Sequence, residues 1–248
     1  MRKPQIAIQL DHITKRFQLH HQKPTLVERL MNREVEEFTA LCDVNLTLYA
    51  GEKVGIIGSN GSGKTTLLKI VAGISHPTKG AVKVKGRVVS LIDLEAGFHP
   101  DLSGVENIFL NGLVIGMSKT EVRQKLKKII AFADIGKFID APLHTYSDGM
   151  KLRLGFSVAV HSNPDVLILD EGFAAGDDAF QRKARKKINF FFKQKKTILI
   201  VSHWLEYLQK ICPRIIWFSH GKIMQDGPQK KVIAEYLRFS RRGRQKAE

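Results

Sequence analysis

Cysteine is nearly absent. Cys42 and Cys212 stand far apart and in no ligand-like spacing, which argues against a disulfide framework or a zinc site and for a reducing compartment. Long apolar runs are missing as well. The strongest, Val166 to Leu169 and Ile198 to Val201, are strand-sized and fall well short of the ~20 residues that span a bilayer, so any crossing of a membrane falls to another chain. Met1-Arg-Lys-Pro leads into no apolar stretch of the signal-peptide kind. Acid is scarce relative to base: 24 Asp and Glu face 40 Lys and Arg, a net charge of +16. Such an excess suits nucleic acid, an anionic membrane leaflet, or a merely solvated basic surface. Internal repeats and low-complexity segments are lacking too.

What is present is an ordinary globular composition, 43% apolar and 26% charged over 248 residues. That suits one large domain, or one domain with a small appendage, with a core that needs no staples. Alternation predicts strands over 6–10 and 44–49, and a further strand over 53–57 after the Ala50-Gly-Glu turn. A polar stretch over 20–37 holds a short helix-like segment, Leu26 to Val35. Helical spacing follows over 65–72, over much of 104–139 (Val122, Leu126, Ile129, Ile130) and over 147–160. The pattern between 82 and 92 reads as strands around a Gly86 turn. The apolar run 165–170 precedes a basic helix, strands at 197–201 and 215–218, and a last helical patch over 231–239. Apolar runs alternating with helices argue for an α/β fold, a parallel sheet covered by helices.

Gly58-Ser-Asn-Gly-Ser-Gly-Lys64-Thr65 fits the P-loop pattern and lies between a predicted strand and a predicted helix. Its glycines allow backbone N–H groups to turn inward around phosphates, beside a helix N-terminus with its partial positive charge. The expected nucleotide contacts are Gly58, Ser59, Asn60, Gly61, Ser62, Gly63, Lys64, Thr65 and Thr66, with Lys64 reaching the β- and γ-phosphates of ATP and the Thr65 hydroxyl on Mg²⁺. Asp170 ends an apolar strand and is expected on the same Mg²⁺; Glu171 follows as the general base for the attacking water. His203, after the strand 197–201, is a candidate for the γ-phosphate or the water.

With these two segments, others resemble the nucleotide-binding subunits of ABC transporters. Tyr146-Ser147-Asp148-Gly149-Met150 stands at the signature loop; Ser147 and Gly149 match it, Asp148 and Met150 do not. Ala174-Ala-Gly-Asp177 falls at the D-loop and Ser202-His203 at the switch histidine. Phe17 falls where that family stacks an aromatic on adenine, with Phe38 as the alternative. The segment from Val88 to Leu102 lacks the Q-loop glutamine: counting places Leu94 there, with Glu95 next to it as a candidate for Mg²⁺ or water.

Glu95-Ala-Gly-Phe98-His-Pro and Asp170-Glu-Gly-Phe-Ala-Ala-Gly176-Asp177-x-x-Phe180 are similar to the polysaccharide-export branch, whose members serve O-antigen, capsule and wall teichoic acid. The resemblance implies a P-loop NTPase domain over 1–240. It would carry an antiparallel β subdomain and a helical, signature-bearing subdomain near 100–160, with a basic tail over 241–248. It further implies a head-to-tail homodimer on the cytoplasmic face of a bacterial inner membrane. In that arrangement Ser147 and Gly149 complete the partner copy's site, and two copies of a separate permease move a lipid-linked glycan. With only a short stretch after Tyr236, the glycan-recognising domain that some members carry is not expected here.

Arg182, Lys183, Arg185, Lys186, Lys187, Lys193, Lys195 and Lys196 form an acid-free stretch, by default a solvated face and alternatively one that meets anionic lipid. Arg29 and Arg33 are further candidates for headgroups. Nucleic-acid members of the superfamily insert long coiled coils before the signature or carry two cassettes; neither is seen here, nor is an RNA-binding motif, so no nucleic-acid partner is expected. A drug or lipid exporter subunit is the remaining alternative.

Overall fold

The computed structural model describes residues 4–19, 36–170 and 177–244. The helix-like segment 26–35, Glu171 and most of the D-loop segment lie outside them. The elements run in the order β1 (Ile6–Leu19), β2 (Glu36–Tyr49), β3 (Lys53–Ile57), α1 (Lys64–Val71), β4 (Lys79–Val84), β5 (Val88–Ser90), α2 (Gly104–Val114), α3 (Lys119–Ala133) and α4 (Asp148–His161). Then come β6 (Val166–Leu169), α5 (Asp178–Lys193), β7 (Thr197–Val201), α6 (Leu205–Ile211), β8 (Arg214–Ser219), β9 (Lys222–Pro228) and α7 (Gln229–Arg244).

Two sheets organise the chain. β2, β1 and β4 form an antiparallel three-stranded sheet, and β5-β6-β7-β3-β8-β9 a six-stranded one that is parallel except for the β8–β9 hairpin. Strand periodicity sorts the larger sheet's side chains to two faces. Val54, Ile56, Ile168, Leu199 and Phe218 pack against α1 and the antiparallel sheet. Leu167, Leu169, Ile198, Ile200 and Trp217 pack against α4, α5 and α7. A third core joins α2, α3 and α4 through Ile108, Val122, Ile129, Leu154 and Val158.

Caps explain where the helices of this third core begin. Ser103 and Glu106 close a capping box on α2, Ser118 caps α3 and Ser147 caps α4. One guanidinium then ties the group to the sheet. Arg87, between β4 and β5, makes a bidentate pair with Glu121 of α3 at 2.9 Å and 2.9 Å, and donates to Gly116 O at 2.8 Å and to Ser162 O. These carbonyls end α2 and α4, so a single side chain fixes three helices against the edge strand β5.

The strands run longer than alternation alone suggests, because bulges interrupt it. β1 pairs with β2 from Ile6 to Leu19 with register shifts around Leu10, Ile13 and Lys15. β9 escapes the sequence reading altogether. Its hairpin turns on His220 and Gly221, both at positive φ (47° and 72°), with Ser219 facing Lys222. This is the two-residue turn geometry usually announced by Asn-Gly rather than His-Gly.

Candidate functional site

Every strand of the parallel group ends at one edge, and the phosphate-binding pattern stands there. β3 runs buried from Val54 to Ile57, flanked by β7 and β8, and delivers the chain to Gly58. The turn admits no side chain: a Cβ on Gly58 would lie 2.2 Å from Phe218 O, and one on Gly63 (φ 103°) would lie 2.5 Å from Ala40 O. The hairpin tip braces the loop from outside. Gly221 N–H donates to Ser62 O and Cys42 N–H donates to Gly221 O, both at 2.9 Å.

Inside the loop, Lys64 is only 7% exposed. Its ammonium donates to Gly58 O at 2.9 Å and Ser59 O at 2.7 Å, so the charge is held within the turn. The Ser62 hydroxyl is buried and has no hydrogen-bond partner among the described residues, an unusual condition for a buried polar atom. α1 also begins unlike its neighbours. Its N-cap is Gly63, with no side-chain cap and no acid in the first turn, whereas α2, α3, α4 and α5 all start on a Ser or Asp side chain. An orphaned hydroxyl, a buried ammonium and an uncapped helix N-terminus are three donors suited to phosphate oxygens.

A cavity of about 440 Å³ opens over this loop, lined by Asn60 to Thr66 together with Phe38, Ala40, Asp170, Val201 and His203. Asp170 follows the last residue of β6. The Thr65 hydroxyl donates a long hydrogen bond, 3.4 Å, to its carboxylate. His203 lies on the rim, ahead of the helix rather than opening it. Ser202 Oγ accepts the Trp204 N–H at 3.1 Å and holds the chain in a turn, so α6 begins only at Leu205. Of the two aromatic candidates, Phe38 lines the cavity. Phe17 is its cross-strand partner, 42% exposed, with the Lys15 ammonium 5.0 Å from its ring.

Glu95 belongs to a neighbouring cavity. The Leu91 N–H continues the β5–β6 ladder to Ile168 O at 2.9 Å. The chain beyond it then shares a space of about 390 Å³ with Asp170, lined also by Asp93, Leu94 and Leu152. α4 presses directly on this loop, since a Cβ on Gly155 would lie 2.2 Å from Leu94 O. Glu95 and Asp170 thus both line this second cavity, and Glu95 is not among the residues lining the first.

Ser147 and Gly149 stand at the start of α4, where the Ser147 hydroxyl accepts the Met150 N–H at 3.3 Å. Neither lines the cavity over the phosphate loop. Asp177 caps α5 by accepting the Phe180 N–H at 2.8 Å, which holds its carboxyl below the usual range. Arg153 of α4 reaches the same carboxylate at 3.2 Å while donating to Ala133 O at 2.8 Å and to Asp134 O. Arg153, Arg87 and the Gly221 brace are contributions that sequence reasoning missed. Each acts on partners far away in the chain, and no local pattern marks them.

Comparison with known proteins agrees with this geometry. The profile of the ABC transporter family matches residues 41–174. The O-antigen export system ATP-binding protein RfbB of Klebsiella pneumoniae is 42% identical over 238 residues, 93% of this chain and 97% of that protein. RfbB of Myxococcus xanthus is 48% identical over 205 residues, 83% of this chain. The teichoic acids export ATP-binding protein TagH of Bacillus cereus is 40% identical over 94% of this chain. The chain spans 47% and 43% of the length of these last two relatives. A dimeric ATP-binding cassette bound to ADP and Pi shares the fold, with a TM-score of 0.67 at 22% identity over 90% of this chain and 98% of that one. A phosphate-loop site on this sheet edge, within a sequence so closely shared with export ATP-binding proteins, places the chain in the ABC transporter family as an ATP-binding, ATP-hydrolysing subunit.

Proposed function

We propose that this subunit powers export of a lipid-linked cell-envelope polysaccharide or teichoic acid through a separate membrane-spanning permease. The observation that carries the reading is the end-to-end similarity to the Klebsiella subunit, whose name assigns it to O-antigen export. Among the described residues no helix is long and apolar enough to cross a membrane. The reading therefore has the chain bound peripherally, on the cytoplasmic face, to two permease copies.

In this proposal the nucleotide lies over Gly58 to Thr66, with Lys64 and the Ser62 hydroxyl donating to phosphate oxygens and Phe38, or its partner Phe17, against the base. Thr65 and Asp170 fit a divalent cation, since their hydroxyl and carboxylate oxygens face each other at the phosphate edge. When bound, Mg²⁺ would neutralise phosphate charge there, with Glu95 reaching Asp170 from the second cavity. Glu171 is assigned as the base that takes the water's proton, and His203 orients the γ-phosphate side from the rim. Ser147 and Gly149, away from their own cavity, are assigned to the site of a second copy.

Surface glycan tests the export reading. Cells lacking this chain are expected to retain the lipid-linked glycan inside, and a Lys64→Ala copy is expected not to restore surface display. Normal surface glycan in the deletion strain, with another exported compound retained instead, would overturn it.

A further inference from the structure

His203 lines two cavities. One is the space over the phosphate loop. The other, of about 230 Å³, is bounded on one side by Gly58, Ser202 and His203 and on the other by Tyr236, Leu237 and Ser240 of α7. α7 therefore stands behind the turn that carries His203, across a space from it.

The helix is held firmly in that place. Val232 and Ile233 are buried, and the Trp217 ring of β8 meets the Tyr236 ring at 5.7 Å and the Phe239 ring at 5.1 Å. Trp217 is also the register partner of Ile57, the residue before Gly58, so one side chain anchors α7 beside the strand that delivers the phosphate loop. The His203 turn is shaped from within. The Trp204 N–H donates to Ser202 Oγ at 3.1 Å and the Leu205 N–H to His203 O at 3.0 Å. Those bonds set the form of the turn, whereas the wall behind it sets how far the whole turn can withdraw from the nucleotide. Leu237 is 41% exposed, so shortening it deepens that space without opening the core.

We propose that Leu237 is a positioning residue for ATP hydrolysis: with Tyr236 and Ser240 it forms the back wall that keeps the His203 imidazole forward, at the γ-phosphate side. The inference rests on the role given to His203 under the proposed function. It assigns α7 a part in the reaction although none of its residues lines the cavity over the phosphate loop.

The test compares Leu237→Ala with Arg238→Ala, which shortens the next side chain of α7, exposed and outside the cavity. In Leu237→Ala, kcat is expected to fall about tenfold while KM for ATP stays within about twofold, because the phosphate loop is untouched and only the placement of a reacting group changes. Leu237→Met should restore turnover, and Arg238→Ala should match the parent. The placement itself is read from the imidazole NMR resonance of His203 with ADP bound, identified by its loss in His203→Ala; it should move in Leu237→Ala and not in Arg238→Ala. Unfolding curves verify folding, and Ser240→Leu, which fills the space instead of deepening it, replaces Leu237→Ala if that variant is unfolded. An unmoved His203 resonance, parental kcat in Leu237→Ala, or equal losses in Leu237→Ala and Arg238→Ala would overturn the wall. His203→Ala separates the two readings: if it is inactive while Leu237→Ala turns over normally, the wall alone is wrong, and if it hydrolyses ATP at the parent rate, the role of His203 is wrong and the wall falls with it.

Discussion

The buried Ser62 hydroxyl separates stability from function at a single atom. Among the described residues it has no partner, so without a ligand oxygen to donate to it contributes burial cost with no compensating hydrogen bond. Ser62→Ala is therefore expected to leave the thermal midpoint of the free protein unchanged or slightly raised. The same variant should bind ATP roughly ten- to 150-fold more weakly, the loss of one hydrogen bond to a charged phosphate oxygen of about 1.5–3 kcal/mol. Calorimetric titration and a melting curve on the same sample check both halves, and a variant that melts lower while binding ATP normally would contradict the assignment. Lys64 differs because its ammonium already has partners in Gly58 O and Ser59 O. Its removal would disturb the empty loop as well as the filled one.

At the scale of elements, the Arg87–Glu121 pair decides how firmly the three helices sit on the sheet edge. The Arg87 guanidinium is the main cause holding the Glu121 carboxyl down at about 2, against an ordinary 4.5. A lowered carboxylate pKa stabilises the fold above the unfolded value, and that stabilisation is lost as pH falls from about 4.5 through about 2. Glu121→Gln should therefore cost about 1–3 kcal/mol at neutral pH, and its deficit relative to the parent should shrink across that window. Denaturant unfolding at a series of pH values reads this directly; a deficit independent of pH would show that the pair does not carry it. This pair also marks the limit of what the sequence discloses. The strands at 53–57 and 197–201, the phosphate loop and the helices of the third core were legible because apolar period and glycine spacing are local signals. Arg87 and Arg153 were not, because their partners lie on other elements. β9 was missed because His-Gly stands where an Asn-Gly turn signal would be.

For the whole molecule, the separation of Ser147 and Gly149 from the phosphate-loop cavity is the feature that a second copy would resolve. In the proposed head-to-tail pair each site takes its phosphate loop from one copy and its α4 N-terminus from the other, so a two-fold axis makes two equivalent composite sites. That arrangement has a consequence no single-copy site shares. Ser147→Arg places a bulky cation where the partner's γ-phosphate would sit, yet leaves its own phosphate loop intact. Lys64→Ala removes the phosphate contact but leaves its own α4 terminus intact. Each variant alone is expected to hydrolyse little ATP, and Ser147→Arg should still bind nucleotide as a monomer. Mixed together they can form one complete site per mixed pair, the loop from the first and the helix terminus from the second. Hydrolysis by the mixture should therefore rise above that of either variant, and rise further with total protein concentration as pairing is driven by mass action. If Ser147→Arg is fully active alone, or if mixing never restores turnover at any concentration, each copy works with its own residues and the composite site is wrong.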